Sequence, residues 1–250
     1  MKNALIFILI IALGTTIYFL VRKDRVGEDA PPPEEENVLE PIDDEPRDDL
    51  FEAEEGREIT EEAEFLTIKA AYPAFGDVQI DQDIKALVQK EISAFKSENS
   101  TSYPGQTNKN SLEITYRLEK GDDFTAIVFS SATYTGGAHG NLVIKTLVYE
   151  NSGEEVSIGS LFAPGSEYLS KLSEISRTKL KTKMGENLGA WADEGTSPTS
   201  DNFGAFYITG DDTLNIIFQP YQVAPWSAGV PSISIDLHDE LGDILNQNLF

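Results

Sequence analysis

A helical pattern followed by three short strand patterns occurs twice in this sequence, and that recurrence restricts the fold more than any other feature. In the first round FLTIKAAY (65–72) alternates as a strand. Asp81 is expected to cap a helix reaching Phe95, because Ile84, Leu87, Val88, Ile92 and Phe95 fall on one helical face. Strands are then expected at LEITYRLEK, DFTAIVFSSATYT and NLVIKTLVYE, with turns at 121–123 and at the glycine-rich stretch between the last two. The second round opens with the short extended piece EEVSIGSLF. A helix follows from about Ser166 to Met184, with Tyr168, Leu169, Leu172, Ile175 and Leu180 on its buried face. Strands FGAFYITG, TLNIIFQP and VPSISIDL come next, and a short helix carrying Leu241, Ile244 and Leu245 closes the chain. Strands joined by turns too short for crossovers predict an α+β fold in which antiparallel sheets pack with two main helices, its halves being 64–150 and 151–250.

Two segments of different character precede this part. Residues 4–21 (ALIFILIIALGTTIYFLV) carry no charge and are long enough for a bilayer-crossing helix, which needs roughly 20 apolar residues. The run continues apolar past Gly14 with no small-x-small cleavage pattern, so residues 1–23 are expected to be an uncleaved anchor, with a buried core helix as the alternative. Lys2 on one flank and Arg22, Lys23 and Arg25 on the other slightly favour a cytoplasmic C-terminal side by the positive-inside rule, without settling the orientation. From residue 24 to 64 there are 19 acidic residues against three arginines. Such a stretch has too little apolar surface to offset its ordering entropy, so 24–63 is expected to be a disordered acidic spacer spanning on the order of 35 Å.

Composition removes several classes of chemistry. With no cysteine, thiol catalysis, disulfides and cysteine-bound zinc are excluded, and a net charge of −24 without a basic cluster argues against nucleic acid as partner. No G-x-S-x-G elbow is present, and the glycines of TYTGGAHGN (133–141) are followed by a strand pattern where a phosphate cradle would need a helix. Only two histidines exist, His139 and His238, far apart in sequence, so no metal site and no cofactor is expected. The paired acids Asp122/Asp123 and Asp211/Asp212 read as turn residues before strands.

Two stretches remain as candidates for function. In TYTGGAHGN, Gly136, Gly137 and Gly140 are expected to serve the backbone geometry of a hairpin connection, and His139 is either a histidine bonded to nearby backbone or a ligand contact. In FQPYQVAPWSAGVPSISIDL (218–237), Tyr221 and Trp226 lie on a stiff proline-containing connection. Their rings either plug the end of a core or present faces to a sugar or a protein. Tyr134, His139, Tyr221 and Trp226 are therefore the candidate ligand-binding residues, and no catalytic residue is assigned.

Taken together, SATYTGGAHGN and FQPYQVAPWSAG, in their order among the helices and strands of residues 64–248, resemble the domain pair of the non-catalytic part of the peptidoglycan deacetylase PdaC and of the extracytoplasmic half of the anti-sigma factor RsiV. The resemblance implies an α+β module outside a bacterial cytoplasmic membrane, single-pass and tethered through residues 4–21. It implies binding of an envelope ligand, either peptidoglycan or a wall-acting protein such as lysozyme. The deacetylase carries its catalytic residues in a separate following domain that this sequence does not contain, so a non-enzymatic module is expected; a small hydrolase using His139 and a purely structural surface protein are the alternatives.

Overall fold

The computed structural model describes residues 50–52, 55–99, 101, 108–185 and 189–250, all within one compact unit, Asp44–Phe250. The apolar stretch 4–21 and the acidic run up to residue 49 lie outside the described residues. Among the described residues no helix is long and apolar enough to cross a membrane.

Strand β1 (Glu55–Glu62) pairs antiparallel with β2 (Leu66–Ala74). Helix α1 (Val78–Glu98) then carries the chain over to β3 (Asn110–Lys120), which runs parallel to β2. Two antiparallel steps add β4 (Phe124–Tyr134) and β5 (Asn141–Glu150), giving a sheet in the order β1-β2-β3-β4-β5.

Three expectations are corrected here. The first sheet is not wholly antiparallel, because the 21-residue helix α1 is itself a crossover long enough to return the chain in parallel. The acidic spacer does not extend to residue 63, since Arg57, Ile59 and their neighbours form β1, while Leu50 and Phe51 are buried. Phe51 packs edge-on against Phe75 at 5.3 Å and lies 5.8 Å from Tyr149. Finally, α1 is capped by Asp77, whose carboxylate accepts from the backbone of Gln79 and Ile80, so the helix begins one turn earlier than Asp81 suggests. Asp81 instead accepts from the Phe75 backbone at 2.8 Å and faces Arg57 at 3.7 Å, tying the helix to the strands before it.

Helix α1 buries Ile80, Ile84, Val88, Ile92 and Phe95 against Ile68, Ala70, Leu112, Ile114, Ile127 and Phe129 of the sheet. Each such side chain is worth roughly 1.5–3 kcal/mol when fully buried, so this face decides where the helix lies. The opposite face of β4 and β5 contributes Phe124, Ala126 and Val148 to a second core shared with the C-terminal half. Strand β4 is thus apolar on both faces, which is why FTAIVF lacks the alternation of a half-exposed strand.

The second half opens with an isolated bridge from Glu155 to Tyr149 and a 3-10 turn at Ile158–Leu161, where an extended piece is expected from the sequence. Helix α2 (Tyr168–Met184) and the short α3 (Gly189–Gly195) follow. A three-stranded antiparallel sheet, β6 (Phe206–Thr209), β7 (Thr213–Ile217) and β8 (Ser232–Asp236), leads into the one-turn α4 (Leu237–Leu241). Leu241 ends that helix, while Ile244 and Leu245 lie beyond it. The small sheet and α2 bury Phe206, Ile208, Leu214, Ile216, Ile233, Ile235, Leu172 and Leu180 in the core that also receives Phe124 and Ala126. The two halves are therefore held together by a common interior.

Candidate ligand-binding site

The connection between β4 and β5 is built around Gly136 and Gly137, whose φ angles of 96° and 99° lie where an L side chain is strained. Gly140 packs so close to the Thr133 carbonyl that an added Cβ would lie 2.6 Å from its oxygen. Tyr134, the last residue of β4, donates its hydroxyl to the Gly137 carbonyl at 3.2 Å. His139 stands exposed on this loop, with Nδ1 2.7 Å from the Gly140 carbonyl. A carbonyl can only accept, so Nδ1 carries the proton and Nε2 is left to face the Tyr221 hydroxyl at 3.3 Å.

The second candidate stretch arrives at the same place. The His139 ring stacks on the Trp226 indole, with centroids 4.8 Å apart and planes 14° from parallel. Tyr221 sits 5.8 Å from Trp226 and receives the edge of Trp191 at 6.2 Å. The four sequence candidates converge: Tyr134 holds the loop, and His139, Tyr221 and Trp226 form a ring cluster. Trp191, on α3, is the member that sequence reasoning missed. Tyr221 and Trp191 are 47% and 44% exposed, among the most exposed large apolar side chains described, so the cluster opens outward and does not plug a core.

Glutamine side chains hold the loop that carries Tyr221. Gln219 pairs with β5 as a strand would, accepting from the Ile144 backbone and donating to its carbonyl, both at 2.8 Å. Gln222 donates to the Gly195 carbonyl at 2.8 Å and to the Asn202 carbonyl at 3.0 Å. Gly195, at the end of α3, lies under this loop; a Cβ there would stand 2.0 Å from the Gln222 carbonyl oxygen. Clamped from both sides, Tyr221 is kept at φ 69°, a conformation costly for any residue but glycine.

Beside the rings runs a groove on the sheet face opposite α1. One hollow of about 400 Å³ is lined by Glu113, Thr133, Tyr134, Asn141, Leu142 and Trp226. A second, of about 270 Å³, shares Leu142 and extends past Ser130 and Ile144 to Arg117, Tyr207 and Val230. Register makes the floor continuous, since Ala132 pairs with Glu113 and Leu142, and Ser130 pairs with Ile144 on the same face. The loop between β7 and β8 contributes Trp226 to one hollow and Val230 to the other.

The second histidine takes no part. His238 Nε2 is 2.8 Å from Asp212, on the 3-10 turn Gly210–Asp212, and its ring meets Phe250. Among the described residues no group of three or more His, Asp or Glu could hold a metal ion.

Comparison with known proteins divides the site in two. Residues 59–142 match the family model "Deacetylase PdaC", and residues 159–238 match a second model, described as a protein of unknown function, DUF3298. The chain carries a PdaC-type domain followed by a DUF3298-type domain. It is 35% identical over 184 residues to the peptidoglycan-N-acetylmuramic acid deacetylase PdaC of Bacillus subtilis, covering 70% of this chain and 38% of that protein. The chain thus spans less than two fifths of that relative's length. Crystal structures of DUF3298 family proteins from Pseudomonas aeruginosa and Bacteroides fragilis share the fold at 19% and 17% identity, with TM-scores of 0.58 and 0.53. Each covers 78% of this chain, which in turn spans 96% and 93% of theirs. The resemblance to RsiV rests on the sequence motifs alone. The PdaC-type domain supplies Tyr134 and His139, and the DUF3298-type domain supplies Trp191, Tyr221 and Trp226, so the cluster exists only where the two domains meet.

Proposed function

We propose that this chain is a cell-envelope binding module, tethered through residues 4–21 outside a bacterial cytoplasmic membrane, that grips peptidoglycan glycan strands at the seam between its two domains. The observation that carries this reading is the outward-facing set of rings, Trp226 stacked on His139 and flanked by Tyr221 and Trp191, beside a groove with polar side chains on its floor. Flat aromatic faces cover the apolar faces of sugar rings, while Ser111 and Glu113, on the same face of β3, offer hydrogen bonds to hydroxyl and amide groups. Kinship with a peptidoglycan deacetylase supports the choice of polymer. On this reading the module holds substrate and performs no chemistry.

The test is sedimentation of purified chain with insoluble peptidoglycan. Wild type should bind saturably, and Trp226→Ala and His139→Ala should reduce retention while melting cooperatively. Equal retention of all three proteins would refute the site. Capture of lysozyme with no retention on glycan would transfer the site to a protein ligand, and turnover of peptidoglycan fragments lost in His139→Ala would make it a hydrolase. The tether is tested by adding protease to intact spheroplasts, where the folded fragment should start ahead of Leu50, since Leu50 and Phe51 are core residues. A tether cut only after lysis would place the module inside.

A further inference from the structure

The groove is not electrically neutral along its length. Glu113 lines the hollow beside Trp226 and Arg117 lines the other, four residues along the same face of β3, or roughly 13 Å. Arg117 is held in an unusual way for an exposed basic side chain. Its Nε donates to Glu119 at 2.7 Å, and its guanidinium lies over the Tyr207 ring, 5.7 Å from the centroid. Among the described residues the two terminal nitrogens have no protein acceptor. The guanidinium is therefore fixed in orientation by a carboxylate and an aromatic face, with its terminal fork left over. It borders a hollow of about 270 Å³ whose other walls are Leu142, Ile144, Tyr207, Ile217 and Val230, with only Ser130 and Ser232 as polar partners. An oriented guanidinium fork beside apolar surface is the arrangement that recognises carboxylate, because two parallel charge-assisted bonds form without first freezing the side chain.

We infer that the Arg117 hollow is a carboxylate subsite, so that the groove selects carboxylated glycan over neutral glycan of the same length. The inference rests on the glycan-binding reading and adds the charge of the ligand. A sugar bearing a carboxylate on an apolar side group fits the hollow's walls, with the carboxylate on Arg117 and the ring on the Trp226 side. The carboxylate can come from the lactyl group of muramic acid in strands stripped of peptide, or from a ring carboxylate as in a uronic acid.

The experiment is calorimetry of the full chain with three probes of matched length: peptide-stripped peptidoglycan strands, oligogalacturonate and neutral chito-oligosaccharide. At least one carboxylated probe should bind about tenfold or more tighter than the neutral one, as expected for a charge-assisted pair. Which one does so identifies the source of the carboxylate. Arg117→Gln should bring the ratio of affinities close to one, and Arg117→Lys, which keeps charge but not the fork, should fall between. Both variants are checked for wild-type thermal unfolding, which the exposure of Arg117 permits. Equal affinity for all three probes in wild type, or an unchanged ratio in Arg117→Gln, overturns the carboxylate subsite and leaves glycan binding standing. Failure of every probe to bind overturns the glycan reading and the subsite with it.

Discussion

Tyr221 offers a test that separates backbone strain from ring contact, because two substitutions there should differ in stability and agree in binding. It is held at φ 69° by the Gln219 and Gln222 hydrogen bonds on either side, and its ring is 47% exposed. Comparing Tyr221→Ala with Tyr221→Gly removes the ring in both and leaves the backbone penalty in one. An L residue in the left-handed region costs roughly 1–2 kcal/mol relative to glycine. Glycine's greater freedom in the unfolded chain returns roughly 0.4–1 kcal/mol of that. The glycine variant should therefore exceed the alanine variant by about 0.5–1 kcal/mol, a melting-point difference of about 1–4 °C for a folded part of this size. Urea titration followed by circular dichroism measures the stability gap, and peptidoglycan retention measures binding, which should fall alike in both. If the alanine variant equals or exceeds the glycine variant in stability, Tyr221 does not hold a left-handed backbone, and the case for strain at the site fails. If retention survives in both, the ring is not part of the contact.

Three further outcomes follow from the packing. Gly195→Ala should cost roughly 1–3 kcal/mol and reduce peptidoglycan retention as well, since a Cβ 2.0 Å from the Gln222 carbonyl must push the Tyr221 loop off α3; wild-type melting would mean the two segments are not in contact. Phe51→Ala should destabilise by roughly 3–5 kcal/mol in urea unfolding, a loss that no spacer residue would produce. Burial, reinforced by Glu154, raises the Glu150 carboxyl above its ordinary value. A raised folded-state value means stability is full below the ordinary carboxylate range and declines as pH rises through the shifted one. Glu150→Gln should accordingly be more stable than wild type near pH 7 and lose that advantage below about pH 4; an advantage independent of pH would rule out the proton as its cause.

Much of the secondary structure was legible because it is written in apolar spacing. The buried residues of α1, Leu172 and Leu180 of α2, the meander β3-β4-β5 and the three short strands of the second half carry that signal, whereas Ser173 and Ser176 of α2 are buried without it and Tyr168, Leu169 and Ile175 are only partly covered. Where charge masks spacing, reading fails: β1 has a single apolar side chain, Ile59, in EGREITEE, and is a strand because β2 offers it an edge. The parallel pairing of β2 with β3 was within reach, since a strand, a long helix and a strand in succession form a crossover unit. At the site, unusual composition singled out both motifs, but composition carries no information about their meeting. Trp191 sits in a seven-residue helix with no periodicity to mark it, and its partnership with Tyr221 is purely tertiary. The roles of Gln219 and Gln222 are likewise invisible in sequence, because an amide that replaces a strand's hydrogen bonds looks like any surface glutamine.

The placement of Trp191 and Trp226 has a spectroscopic consequence. They are the only two tryptophans in the chain, and both belong to the ring cluster, while the two cores are built from phenylalanine, tyrosine and aliphatic side chains. Excited at long ultraviolet wavelengths, the protein emits from the domain seam alone. One indole lies flat on an imidazole and the other stands edge-on to a phenol, so the emission is sensitive to whatever displaces, covers or dries those rings. The native chain needs no dye to report on its own binding surface, and parting of the two domains would be seen in the same light.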